Sequence, residues 1–252
     1  MRFAIISDIH ANVDALRAVL ADITRTDVDQ ILCLGDLVGY NGFPRETIAM
    51  LRDARVRAIY GNHDLMALAR LPDTGCSTLA RKAIQWTRRV LTEDDWWYLA
   101  SLPADLRIDD LVCVHSAPGD PLVRLGHAEQ FRSEAEALTE GGARVSVVFT
   151  GHSHRQQVVV VRRDGEVQWT GGADVELPRD ALCFVNPGTV GESRDADPRA
   201  AYAIFDAESR GVSFRRVPYD RTRLLRRNRE LGLLAPSKLQ RMAARVLGYS
   251  RS

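Results

Sequence analysis

The chain has 252 residues, 45% of them hydrophobic and 27% charged, with a formal net charge of +1. It is long enough to bury a sizeable core as one large domain, and its charge balance gives no global attraction to nucleic acid or to an anionic membrane. No apolar stretch is long enough to span a bilayer. The first apolar run, broken at Ser7 and Asp8, does not read as a secretory signal, so a cytoplasmic chain is expected. Cys33, Cys113 and Cys183 sit inside apolar runs and Cys76 starts an expected helix; with no Cys-x-x-Cys pair, all four read as reduced thiols.

The run Phe3-Ala4-Ile5-Ile6-Ser7 reads as a first strand leading into Asp8-Ile9-His10. Val13, Leu16, Val19, Leu20 and Ile23 then recur at helical spacing behind Asn12, a good N-cap. A strand over 30–34 leads to Gly35-Asp36, a helix follows near 44–53, and a strand over 56–60 leads to Gly61-Asn62-His63-Asp64. This alternation predicts a layered α/β fold. A helical insertion over about 65–104 carries Trp86, Trp96, Trp97 and Tyr98, and Thr92 with Asp95 forms a capping-box pattern for its second helix.

Beyond 104 the chain turns β-rich. Asp109-Asp110 reads as a turn between two strands, the second ending at His115. A helix-like run covers 128–140 behind His127, which is expected in solvent. The run 145–150 leads to Gly151-His152-Ser153-His154, Asp164-Gly165 marks a hairpin, and strands near 181–185, 201–205 and 212–217 complete a second sheet. The last segment is basic: Arg215 to Ser252 holds eleven basic residues and two acids, net +9, leaving net −8 on the remainder. Its apolar stripe of Leu239, Met242, Ala243, Val246 and Leu247 suits docking on the same chain or on a second copy. Nucleic-acid or membrane-surface binding is less favoured: 32 of the 34 basic residues are arginine, so arginine in the tail is the habit of the whole chain.

Every strand-like run that ends in this way delivers an oxygen or imidazole ligand, and in open α/β sheets ligands bind at the carboxyl ends of strands. Asp8, Asp36 and Asn62 supply oxygen; His10, His115, His152 and His154 supply nitrogen. Such a set suffices for two divalent ions. The absence of thiolate favours Mn foremost, with Fe, Zn, Co or Ni as alternatives, over Mg or Ca. Taken singly, Asp-x-His, Gly-Asp and Gly-His-Ser-His are compatible with turn chemistry or surface loops.

Together and in this order, these motifs resemble the signature of the calcineurin-like metallophosphoesterase superfamily over about residues 1–207. Asp8-Ile9-His10-Ala11-Asn12, Gly35-Asp36-Leu37-Val38-Gly39-Tyr40 and Asn186-Pro187-Gly188-Thr189-Val190-Gly191 are similar to its small bacterial and archaeal branch, many of whose members are phosphodiesterases. The resemblance implies a four-layer αββα sandwich of two mixed sheets over 1–218; the helical insertion at 65–104 and the basic helical tail 219–252 depart from the family's pattern. It also implies that Asp8, His10 and His154 hold one metal, that Asn62, His115 and His152 hold the other, and that Asp36 bridges them. His63 would contact the phosphate and protonate the leaving group, Asp64 would orient His63, and a metal-bridging hydroxide would be the nucleophile. The implied function is hydrolysis of a small phosphate ester, nucleotide-derived or otherwise, most simply a diester. A phosphomonoesterase, a nuclease guided by the tail, and a non-catalytic scaffold of the same fold remain as alternatives, and a homo-oligomer is open. Asn12, Tyr40 and Arg194 are candidate substrate contacts, each with a structural alternative: an N-cap, a turn residue and a surface salt bridge.

Overall fold

The computed structural model describes residues 1–234 apart from 119, 121, 141–143 and 172; the stripe from Leu239 to Leu247 lies outside the described residues. Two six-stranded mixed sheets face each other. In the first, β1 (Arg2–Ile6) is central. It runs parallel to β2 (Gln30–Cys33), which runs parallel to β3 (Arg57–Ala58), and antiparallel to β11 (Ala200–Asp206), with β12 (Gly211–Val217) and β9 (Val175–Glu176) beyond. The second sheet runs β4 (Asp105–Ile108), β5 (Leu111–Val114), β6 (Val147–Thr150), β10 (Leu182–Pro187), β7 (Gln156–Val161), β8 (Val167–Gly171). In it β5, β6 and β10 are parallel.

The two-residue period of the strands builds four layers. Phe3 and Ile5 of β1 turn inward with Leu32 and Leu34, against Phe149, Val158, Cys183 and Val185 of the other sheet. Ala4 and Ile6 turn outward onto α1 (Val13–Ile23) and α2 (Pro44–Asp53), where Leu16, Val19, Ile48 and Leu51 are buried. On the far side Val112, Val148, Val159 and Phe184 pack on Phe131 and Ala135 of α6 (Ala128–Glu140). This is the expected αββα sandwich.

The insertion forms α4 (Thr78–Val90) and α5 (Glu93–Ser101), with α4 against α2 and α3 (Asn62–Ala67). Thr92 caps α5 as expected: Asp95 N–H reaches its hydroxyl at 3.2 Å, and the Asp95 carboxylate accepts from Thr92 N–H at 2.9 Å. Cys76 lies just outside α4, which is capped by Ser77. Trp96 and Tyr98 pack on the core while Trp97 is exposed. The third strand is shorter than expected because Tyr60 N–H leaves the sheet to bond Pro103 O at 3.0 Å. The segment after β12 folds into α7 (Thr222–Glu230). Among the described residues no helix is long and apolar enough to cross a membrane.

Candidate metal centre

The carboxyl ends of β1, β2, β3, β5 and β6 meet at one edge shared by both sheets, and the polar residues that follow each strand meet there too. The backbone is shaped for this. Asp8 (φ 53°), His10 (φ 50°), Ala11 (φ 54°), Asp36 (φ 54°), Tyr40 (φ 54°), His152 (φ 62°) and His154 (φ 63°) are all left-handed. Non-glycine residues rarely take this conformation, at about 1–2 kcal/mol each, and such strain gathers at functional sites. Loop-to-loop hydrogen bonds hold it: Asp8, His10 and Ala11 N–H donate to Gly35, Asp36 and Leu37 carbonyls at 3.0, 2.9 and 2.9 Å. Thr189 donates its hydroxyl to Asp8 O at 2.8 Å, and Asn186 donates its amide to Gly151 O at 2.6 Å.

Three groups of ligand atoms lie within 4.8 Å of one another: Asp8, His10 and His154; Asp36, His115 and His152; and His10, Asp36 and His63. Asn62 Oδ1 joins the second group, 3.1 Å from His115 Nε2 and 3.0 Å from His152 Nδ1. Asp36 Oδ2 stands between the sets, 3.6 Å from His10 Nε2 and 3.4 Å from His115 Nε2. All seven expected ligands therefore converge.

The donor set fits a cation. His10 Nδ1 meets Val38 O at 3.3 Å, His154 Nδ1 meets Glu192 O at 2.5 Å and His115 Nδ1 meets Leu34 O at 2.7 Å. A carbonyl only accepts, so each Nδ1 carries a proton and each Nε2 is the atom turned toward the site. Burial holds His10 well below its ordinary value, hence neutral. Its Nε2 faces His154 Nε2 at 3.2 Å and the Asp8 and Asp36 carboxylates at 3.7 and 3.6 Å. Two carboxylates converging with the lone pair of a neutral His10 ring in a buried site are relieved by a positive ion.

Burial alone would raise Asp8 and Asp36, but the His154 and His115 rings hold both carboxyls ionised, below the usual range. His115 is pushed up to about 9: burial opposes this and the Asp36 carboxylate outweighs it. Burial pushes His152 down to about 4. His63 is also lowered by burial; its Nδ1 is enclosed without a hydrogen-bond partner, and its ring lies 4.8 Å from those of His10 and Tyr40. Its N–H is fixed by Asp36 Oδ1 at 2.8 Å.

One sequence expectation is corrected. Asp64 does not orient His63: its carboxylate accepts from Gly61, Leu37 and Val38 N–H at 2.8, 3.2 and 3.1 Å, clamping the loop after Asp36 to the start of α3. Burial and the nearby Asp36 charge raise it to about 7 despite those donors. Asn12 is fully buried and takes the N-cap role read for it in the sequence. It caps α1 through Ala15 N–H at 3.1 Å and donates to Gly191 O at 2.9 Å. Tyr40 is half-buried beside His10 and His63, while Arg194 is exposed at the rim and lowers the Tyr40 hydroxyl against the raising effect of burial. Sequence reasoning missed Ser7, whose hydroxyl donates to Asp8 Oδ2 at 2.7 Å, and Glu192, whose carbonyl holds His154. Neither carries a motif signal beyond adjacency to one.

The calcineurin-like phosphoesterase superfamily domain matches residues 1–210. The chain belongs to this superfamily. As a member of the calcineurin-like phosphoesterases it is a hydrolase of phosphate esters. It is 32% identical to an uncharacterised protein of Methanocaldococcus jannaschii over 221 residues, 86% of this chain and 87% of that one. The crystal structure of a metallophosphoesterase from Sphaerobacter thermophilus is 35% identical, with a TM-score of 0.76 over 93% of this chain and 95% of the other. A hypothetical protein of Pyrococcus horikoshii shares the fold at 19% identity, with a TM-score of 0.75 over 92% and 94% of the two chains.

Proposed function

We propose that this phosphoesterase is a two-metal enzyme that hydrolyses a small phosphodiester. The observation that carries the reading is Asp36, one carboxylate set between two histidine-bearing ligand groups. Asp8, His10 and His154 would hold one ion, Asn62, His115 and His152 the other, with Asp36 shared. Two such ions activate water and offset charge on the phosphoryl oxygens of an in-line displacement.

The chain supplies the rest. His63 contacts the phosphate and gives a proton to the leaving oxygen. Burial keeps its proton affinity low in the resting site, and an anionic phosphate beside it raises that affinity at the moment of need. Arg194, on the rim with Tyr40, contacts the phosphate with its forked guanidinium. The motifs shared with the small prokaryotic branch support diester over monoester chemistry, and manganese suits the mixed oxygen and nitrogen set. The test is hydrolysis of bis-p-nitrophenyl phosphate and p-nitrophenyl phosphate by metal-stripped protein, with Mn, Fe, Co, Ni or Zn added back. The expected result is metal-dependent turnover, faster on the diester. Faster monoester turnover makes the protein a phosphomonoesterase, and no stimulation by any divalent ion counts against the mechanism.

A further inference from the structure

α7 lies beyond the residues that the superfamily domain matches, yet it seats directly on a loop of the metal centre. At Gly42 a Cβ would stand 2.7 Å from Arg227 Cγ and 2.8 Å from Leu231 Cδ1, so only glycine lets the helix come this close. Leu224 shares a buried apolar cluster with Val13 and Phe43, and the Arg223 guanidinium lies 4.3 Å over the Phe43 ring.

Within this contact runs a directional chain of amides. Asn228, 4% exposed, donates Nδ2 to Asn41 Oδ1 at 2.6 Å. Asn41, itself buried, donates its Nδ2 to the His10 carbonyl at 2.8 Å. The His10 carbonyl can only accept, so the Asn41 NH2 is committed to it and Asn41 Oδ1 must face the Asn228 NH2. His10 is one of the left-handed residues, so its backbone needs outside support to aim the imidazole. A second strut runs alongside: Asn12, two residues on, donates to Tyr219 Oη at 3.0 Å.

We propose that Asn228 is a positioning residue for the metal centre, holding the His10 backbone through Asn41 and so making the C-terminal helix part of the site. The inference rests on His10 being a metal ligand. Without the Asn228 amide, the buried Asn41 Oδ1 loses its donor, and the side chain that holds the His10 carbonyl loses one of its anchors. The test is calorimetric titration of Mn²⁺ into the metal-stripped full chain, for native protein, Asn228→Ala, Asn228→Leu (same branching, no amide) and the exposed control Arg226→Ala, with thermal melts alongside. Outer contacts of this kind are worth about 10-fold or more in metal affinity. Both Asn228 variants are expected to bind Mn²⁺ about 10-fold more weakly at temperatures where they are fully folded. Arg226→Ala is expected to match native. A purely structural role for Asn228 lowers the melting temperature and leaves affinity unchanged. Native affinity in either folded Asn228 variant therefore overturns the proposal, as does an equal loss in Arg226→Ala. Should Asn228→Ala fail to fold, Asn228→Leu decides. If native protein takes up no Mn²⁺, the ligand assignment itself falls, and the inference with it.

Discussion

His63 depends on a residue that carries no side chain. Gly39 (φ +94°) lies so near that a Cβ there would stand 2.5 Å from His63 Nδ1. Gly39→Ala must therefore push the imidazole aside as well as strain its own backbone. Displacing a reacting group by about 1 Å can cost about 10²-fold in rate. Gly39→Ala is expected to lower kcat by that order while Mn content, read by elemental analysis, stays native. His63→Ala is expected to cost about 10²–10⁴-fold, the worth of proton transfer, again with metal retained; loss of metal in His63→Ala would make it a ligand instead. At this scale the ligands were legible, because each directly follows an apolar run whose end the fold brings to one edge. Asp64 was not, because adjacency to a reactive residue does not say which way a side chain turns, whereas Asn12 was read as the cap that it is. Asp64 sits in the first turn of α3, where carboxylates bend back to free N–H groups, and Asn12 is consumed in capping.

Elements differ in how far they announce themselves. β1, β5, β6 and β10 are apolar runs that end in turn chemistry, and α1 and α2 carry clear helical spacing. α3 has six residues, too few for a period to show, and it opens in a Gly-Asn motif that reads as a turn. The loop after β10 is held by charge: Asp195 Oδ2 takes Arg216 Nη2 at 2.7 Å, and Asp197 Oδ2 lies 3.6 Å from Arg216 Nη1. Hydrogen bonding to Arg216 lowers Asp195, and hydrogen bonding to Arg199 lowers Asp197 to about 2. A folded Asp195 value below the unfolded one means that the Arg216 contribution is complete above the ordinary carboxylate value of about 4 and fades as pH falls below it. The urea midpoint of Arg216→Met is therefore expected to sit below native near neutral pH by a small margin, as exposed pairs do, and the two are expected to converge in acid. A gap that widens in acid would contradict this account of the clamp.

The whole molecule works as two sheets that must stay in register, since each delivers part of the proposed ligand set: Asp8, His10, Asp36 and Asn62 from the first, His115, His152 and His154 from the second. Phe149 and Phe205 meet across the interface with ring centroids 5.2 Å apart. Phe149→Ala removes a fully buried ring and is expected to cost about 3–5 kcal/mol of stability in urea unfolding; a loss below about 1 kcal/mol would mean that this interface is not the close-packed core described. A layered α/β fold with a second sheet was legible from the number and order of the apolar runs, and the four-layer sandwich came with the family resemblance. The docking of α7 was not, because it rests on Gly42 and two asparagines with no pattern in sequence. The central claim is that seven side chains from both sheets hold two ions around Asp36. Anomalous diffraction from crystals grown with Mn²⁺ tests it most directly. Two peaks about 3.5–4 Å apart on either side of Asp36 are predicted. No peak there, or a single one remote from Asp36, would contradict the account and favour a non-catalytic scaffold.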